Sequence, residues 1–269
     1  MKTIMLTGSE GYIGTELRTY LSLMGSDYSI VCVDKSIGVD VLDITDLYNI
    51  DIIIHLAANS SVFCKDTDKI NRDNINAFEH LARLSENYRV PLIYASSASA
   101  HEKNISSFYG ESKQANERFA SMFCSNAIGL RLHNVYSSYP RKDTIFYNLL
   151  NNKSVDLVNN GMIYRHFTYL PDILKSIYFI ISNIDNINCG IYNILNPIEN
   201  TILDLALEVK KYRPELELNL VDYKRELDST YQYVDENLPQ LPINYKTIEE
   251  GVYETFQFRT HILDETYSR

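Results

Sequence analysis

Thr3-Ile4-Met5-Leu6-Thr7-Gly8-Ser9-Glu10-Gly11-Tyr12-Ile13-Gly14 is the stretch that decides the fold. Its first five residues form a short apolar run with the character of a buried strand, and the run passes without a break into glycines at three-residue spacing. Glycine there removes Cβ where the backbone must turn sharply and come close to a pyrophosphate. A helix opening at about Tyr12 points unpaired N–H groups and its positive end at that anion. Strand, glycine turn and helix in this order predict a dinucleotide site. The next apolar run, Ser29-Ile30-Val31-Cys32-Val33, ends on Asp34, ~20 residues past the last glycine, where a carboxylate accepts hydrogen bonds from the adenosine ribose hydroxyls. Asp34 favours NAD over NADP, because a 2′-phosphate beside it would place two anions together. Lys35 next door is expected to soften that preference.

Composition narrows the partners. The chain has 269 residues, 45% hydrophobic and 22% charged, enough to bury a substantial core. A net charge of −10 argues against a nucleic-acid surface, which needs clustered Lys and Arg. No apolar run reaches the ~18 residues of a membrane span. Met1-Lys2 leads straight into the first strand, so no signal peptide is expected and the reading is cytoplasmic. Cys32, Cys64, Cys124 and Cys189 lie far apart in apolar patterns and are expected to be buried free thiols. The six histidines show no ligand spacing, so no metal site is expected.

Strand-like and helix-like segments alternate through the first half. Asp51 to Ala58, Val90 to Ser97 and Ala127 to Leu132 read as strands, with helices near Asn74 to Ser85 and from about Gly110 to Cys124. Continuous apolar strands separated by helices predict a parallel, doubly wound α/β sheet, covered on both faces. After Asn134 the alternation fades into a helix at Thr144 to Asn151, a hairpin around Asn159-Asn160-Gly161, and helices near Asp172 to Ile181 and Thr201 to Tyr212. The expected division is a dinucleotide-binding Rossmann domain of residues 1–134 plus roughly 165–195. A small C-terminal substrate-binding lobe would take 135–164 and 196–269.

Chemistry concentrates where the fourth strand ends and the next helix begins. Tyr109-Gly110-Glu111-Ser112-Lys113 sets a phenol and an ammonium one helical turn apart on one face, after a serine-rich strand end. A free phenol titrates near about 10, so half ionisation near neutrality needs ~4 kcal/mol of preferential phenolate stabilisation. Lys113 and an oxidised nicotinamide, both cationic, are suited to supply it. Tyr109 would then take a hydroxyl proton while Ser97 hydrogen-bonds the reacting oxygen.

With those residues in place the chain resembles the extended short-chain dehydrogenases/reductases of the NAD-dependent epimerase/dehydratase group, which act on nucleotide sugars. Thr7-Gly8-x-x-Gly11-Tyr12-Ile13-Gly14 resembles the group's cofactor turn, and Asp43-Ile44 its adenine-contacting pair. His55-Leu56-Ala57-Ala58 is similar to the third-strand motif beside the cofactor, with Asn74 the helix asparagine that follows. Tyr94 to Ala98 resembles the serine strand, with Ser97 at the catalytic position; Tyr109 and Lys113 match the catalytic pair, with Lys113 also on the nicotinamide ribose. The stretch Arg131 to Tyr136 resembles the segment whose Asn, here Asn134, contacts substrate. Arg165 to Asp172 is similar to the stretch whose Arg, here Arg165, grips the substrate diphosphate, and Arg225 stands as a second phosphate ligand. The resemblance implies bound NAD, a nucleotide-sugar substrate and a homodimer built on the helices carrying Phe78, Leu81, Phe119, Met122 and Phe123.

Departures matter equally. Dehydratases of the group follow the strand hydroxyl with Asp-Glu; here Ala98 and Ser99 stand there, which counts against dehydration. His101 and Glu102 replace a usual Tyr-Gly and the loop before Tyr109 is short; His133 and His166 also depart from the pattern. Each site residue has a plainer reading: Asp34 and Ser97 as local backbone caps, Tyr109 and Lys113 as an exposed helix pair, Asn134 and Arg165 as structural, Glu10 as a solvated carboxylate. The function expected first is a nucleotide-sugar epimerase working through transient oxidation to a keto-sugar. A nucleotide keto-sugar reductase using NAD(P)H comes next, and a non-catalytic NAD-binding protein last.

Overall fold

The computed structural model describes residues 1–25, 27–223 and 230–267, with side chains described through 259. The chain divides into two units. The first comprises Met1–Leu132, Leu174–Ile194 and Tyr233–Leu241; the second comprises His133–Ile173, Leu195–Gln232 and Pro242–Arg269.

The first unit is organised by a six-stranded parallel sheet. Strand β1 (Lys2–Thr7) lies between β2 (Tyr28–Val33) and β3 (Ile52–His55), followed by β4 (Leu92–Ser97), β5 (Ala127–Leu132) and, at the far edge, Gly190–Ile194. The chain winds to one side of β1 for β2 and to the other for everything after, so the order reverses at the β1/β3 boundary. Ligands of such sheets bind outside the carboxyl ends of the strands at that switch point. Here those ends are Thr7 and His55, paired across the sheet, and the neighbouring β4 ends on Ser97. β3 is the run Ile52-Ile53-Ile54-His55, buried at every position, as a strand covered on both faces must be.

Helix Ala77–Tyr88 packs on this sheet because Phe78, Leu81 and Ala82 fall on one side of it and are fully buried, joining Met5, Ile53, Leu92, Tyr94 and Phe119 in one apolar cluster. Burying a side chain such as Phe78 is worth roughly 1.5–3 kcal/mol. Helix Phe108–Phe123 starts two residues before the position read from the sequence, because the Ser107 hydroxyl caps it by accepting from the Gly110 N–H at 3.2 Å. The segment 233–241, read above as part of the C-terminal lobe, groups with the sheet unit. Asn193 on the edge strand donates its N–H to the Pro239 carbonyl at 3.0 Å and its side-chain amide to the Asp235 carbonyl at 2.8 Å.

The second unit has its own core of Tyr136, Phe146, Leu149, Leu157, Leu205, Val209 and Val252. Its helix Ile202–Tyr212 begins with a reciprocal cap, in which the Thr201 hydroxyl accepts from the Asp204 N–H and the Asp204 carboxylate accepts from the Thr201 N–H. The expected hairpin at Asn159-Asn160-Gly161 is a single 3-10 turn instead, and the strands flanking it do not pair with each other. Ser154–Val158 pairs in parallel with Glu217–Val221, and Tyr164–Arg165 pairs antiparallel with Asn200–Thr201. Asn159, Asn160 and Gly161 all have positive φ, which a tight hairpin turn also requires, so the turn is local but the pairing of its flanking strands is set by their distant partners. The cysteines are free, as expected, but they are not buried: Cys32, Cys64 and Cys124 are half-buried and Cys189 is exposed.

Candidate active site

The glycine turn is close-packed backbone. Gly8 has φ +70, and a Cβ there would stand 2.7 Å from the Ala57 N; a Cβ on Gly14 would stand 2.9 Å from the Gly8 carbonyl carbon and closer still to its oxygen. Helix Tyr12–Leu23 therefore starts hard against the ends of β1 and β3. Its N-cap is Gly11, which brings no side-chain oxygen to the helix start, and no acidic residue stands in its first turn. Tyr12 and Ile13 are half-buried there. A pyrophosphate fits an end built this way, because the amide dipoles are not answered by a carboxylate of the helix itself. Glu10 is not simply solvated: Arg18 holds it at 2.8 Å, so the one carboxylate in the turn is neutralised by its own helix.

Asp34 ends β2 beside this turn. One carboxylate oxygen accepts from the Glu10 N–H at 3.2 Å; the other accepts from the Ser36 N–H at 2.9 Å and the Ser36 hydroxyl at 2.8 Å. Burial pushes its pKa up, but the Ser36 and Glu10 hydrogen bonds outweigh burial and hold the carboxyl below its ordinary value. The local capping reading is thus realised, and it orients an ionised acceptor at the lip of the glycine turn. Leu56, Ala57 and Ala58 are half-buried at the end of β3. Asp43 is exposed in a 3-10 turn capped by Asp40, and the Ile44 carbonyl is held by His80 Nε2 at 2.7 Å.

Tyr109 and Lys113 occupy one side of helix Phe108–Phe123, with the lysine ammonium 5.8 Å from the centre of the phenol ring. Tyr109 is half-buried, whereas Lys113 is 3% exposed, so the pair is not a surface pair. The lysine spends one of its three donors on the Ala95 carbonyl at 2.8 Å, two residues before Ser97. Burial lowers the Lys113 pKa to about 8, against a pull upward from Glu117. His55 lies on the adjacent strand end, fully buried and hydrogen-bonded to the Thr7 hydroxyl at 2.7 Å; burial and the Lys113 charge bring its pKa down to about 3, which keeps it neutral. Ser97 caps the short 3-10 turn after β4 by accepting from the Ser99 N–H at 3.1 Å, which leaves its own hydroxyl hydrogen to be given elsewhere.

Two hydrogen-bond networks support the pair, and the sequence marks one member of each while leaving the other members unmarked. Asn74 sits in a π-helical turn, Asn71–Asn76, is 1% exposed, and links three elements. It accepts from the Asn59 N–H at 2.7 Å and donates to Ser112 Oγ at 3.0 Å, and Ser112 in turn donates to the Tyr109 carbonyl at 2.7 Å. Below Lys113, Glu117 takes both arms of Arg131 at 2.8 and 2.7 Å and the Ser96 hydroxyl at 2.6 Å, a buried charge pair with its oxygens satisfied. The spacing of Tyr109, Lys113 and Glu117 at four-residue intervals is the signal that points to this last member.

In the second unit, Asn134 has φ +32 and donates to Gln232 Oε1 at 2.6 Å, while Arg165 donates to the neighbouring Tyr164 carbonyl at 2.7 Å. His133 is buried edge-to-face against His166, which bonds the Asn196 carbonyl at 2.8 Å; both are packed side chains. Arg225 lies outside the described residues. No group of His, Cys, Asp and Glu among the described residues could hold a metal ion, and no described helix is long and apolar enough to cross a membrane.

The comparisons with known proteins bear on the fold and the family. Among curated proteins, the chain is 25% identical, over an alignment of 314 positions, to an uncharacterised protein of Methanocaldococcus jannaschii, covering 93% of this chain and 94% of that one. It is 22% identical over 312 positions to UDP-glucuronate 4-epimerase 4 of Arabidopsis thaliana, covering 91% and 71%. Among solved structures, UDP-glucuronic acid 4-epimerase of Bacillus cereus, in complex with UDP-glucuronic acid and NAD, has the same fold at a TM-score of 0.78 and 21% identity, covering 97% of this chain and 99% of that one. The model of the NAD dependent epimerase/dehydratase family matches residues 4–194, the sheet together with its glycine turn and Tyr109/Lys113 helix. The chain belongs to the NAD-dependent epimerase/dehydratase family.

Proposed function

We propose that the chain is an NAD-dependent nucleotide-sugar epimerase acting through a transient keto-sugar. The observation that carries this reading is the half-buried Tyr109 beside the buried Lys113, whose ammonium is tied to the strand that delivers Ser97. Bound NAD supplies a two-electron acceptor that can return what it takes. Tyr109 Oη takes the proton of a sugar hydroxyl, Ser97 Oγ donates a hydrogen bond to the same oxygen as it becomes a carbonyl, and the Lys113 charge stabilises the phenolate. Inversion follows when the keto-sugar presents its other face before Tyr109 gives the proton back. The residue after Ser97 is a buried Ala98 with no group to expel water, which supports epimerisation over dehydration. The names of the relatives in Arabidopsis and Bacillus cereus make UDP-glucuronic acid the first substrate to try. The test is incubation of the NAD-loaded protein with UDP-glucuronic acid and UDP-glucose, following the sugar by NMR. An epimer accumulating to equilibrium without net cofactor turnover is expected; stoichiometric consumption of NADPH by a keto-sugar would assign the reductase instead.

Cofactor choice and assembly belong to the same reading. Asp34→Ala is expected to weaken NAD by ~2–4 kcal/mol, the value of two hydrogen bonds to a charged acceptor, and to narrow its lead over NADP. Titration of both cofactors into both proteins checks this, and equal affinities in the wild type would reject it. The homodimer rests on less surface than the sequence suggested, since Phe78, Leu81 and Phe119 are used in the chain's own core. Met122 and Phe123 are exposed at 68% and 50%, with the Arg83 guanidinium above the Phe119 and Phe123 rings. Sedimentation is expected to give twice the 31.1 kDa chain mass, and Phe123→Asp to return it to the single-chain mass.

A further inference from the structure

Lys35 and Arg72 are two cations close to the strand end that carries Asp34, and neither is left to itself. The Lys35 ammonium pairs with Asp73 and lies 3.6 Å from Asp40; the Arg72 guanidinium reaches Asp40 at 2.6 Å and Asp73 at 2.9 Å. The four charges cancel and form a closed square. It joins the loop after β2, which holds Asp34, Lys35 and Asp40, to the π-helical turn that holds Arg72, Asp73 and Asn74. Lys35 is the immediate neighbour of Asp34, whose carboxylate hydrogen-bonds the glycine turn.

A dinucleotide with a 2′-phosphate needs a cation at this strand end, and a Lys or Arg next to the ribose acceptor ordinarily supplies it. This chain has both side chains nearby. From the geometry we infer that Asp40 and Asp73 are specificity residues for the cofactor: by engaging Lys35 and Arg72 they withhold the cations that would otherwise accept a 2′-phosphate. NAD selectivity then has two sources, repulsion by Asp34 and sequestration by Asp40 and Asp73. On this inference, the softening expected of Lys35 is withheld by its acidic partners. The inference rests on the dinucleotide reading of the site and goes beyond it.

Exposed ion pairs are individually weak, so the expected effect is moderate. In the double variant Asp40→Asn/Asp73→Asn, NADP is expected to bind ~3- to 10-fold more tightly while NAD stays within about twofold. The gain should shrink as salt is raised, since it comes from exposed charges. Adding Lys35→Met to that double variant should remove most of the gain, which a general loosening of the loop would not do. Affinities are read by fluorescence titration of each protein with NAD and NADP separately, so no sugar substrate is needed. Unchanged NADP affinity in the double variant, with NAD still bound and still dependent on Asp34, overturns this inference and leaves the dinucleotide site standing. A wild-type protein that binds neither cofactor overturns both.

Discussion

Tyr109→Phe is expected to lower turnover by ~10²–10⁴-fold, the range that a positioned acid or base contributes, while NAD affinity stays near wild type. Gly8, Gly11, Gly14 and Asp34 are unchanged in this variant, so the groups proposed to hold NAD stay in place while the proposed proton-transfer group is lost. Lys113→Met should behave differently in two respects. It removes both the charge beside the phenol and, by family resemblance, a ribose contact, so rate and NAD affinity should fall together. Its stability should fall little, because Lys113 is 3% exposed and burial draws its pKa down to about 8 against the upward pull of Glu117, a desolvation cost that offsets the lost hydrogen bond to the Ala95 carbonyl. A methionine of similar length gives that cavity an apolar side chain with no charge to desolvate. Thermal melts, cofactor titrations and single-turnover reduction of bound NAD, measured on both variants, separate these effects. A Tyr109→Phe protein that reduces its NAD at the wild-type rate would take Tyr109 out of the mechanism.

Gly14→Ala is expected to cost about 3 kcal/mol of stability, the upper end for forcing an extra methyl into close-packed surroundings, and to weaken NAD by ~10²-fold through the displaced helix start. The added Cβ would press on the Gly8 carbonyl, and both groups are backbone, so neither can rotate aside. Gly11→Ala is the internal control. Gly11 has extended backbone, φ −77 and ψ 174, and its Cβ would stand 3.1 Å from the Gly8 oxygen, a contact relieved by a shift of a few tenths of an ångström. Gly11→Ala should therefore lose far less stability than Gly14→Ala. Equal losses in denaturant unfolding would mean that the glycines serve chain flexibility rather than close approach.

The parallel sheet, the glycine turn and the Tyr109/Lys113 helix were legible in the sequence because each depends on local pattern. Continuous apolar runs can be satisfied only inside a covered sheet, a glycine triplet only at a close turn, and a four-residue spacing only on one helix face. The same reasoning failed at Asn159-Asn160-Gly161, where a turn was read correctly but its strands chose distant partners, Glu217–Val221 and Asn200–Thr201. Pairing across 63 residues, from Ser154 to Glu217, or 35, from Arg165 to Asn200, leaves no local trace.

Charge partners lie at that same limit. The sequence by itself determined that a carboxylate ends β2 and that a lysine follows it, together with the positions of the glycines, Ser97, Tyr109 and Lys113. Only the tertiary structure decided what each charge faces: Lys35 is turned to Asp40 and Asp73, Glu10 is neutralised by Arg18, and Glu117 is locked to Arg131. The physical reason is range. Backbone conformation and burial follow from neighbours along the chain, whereas the state of a charge depends on whatever lies within a few ångströms in space, and that is set by the packing of elements far apart in sequence.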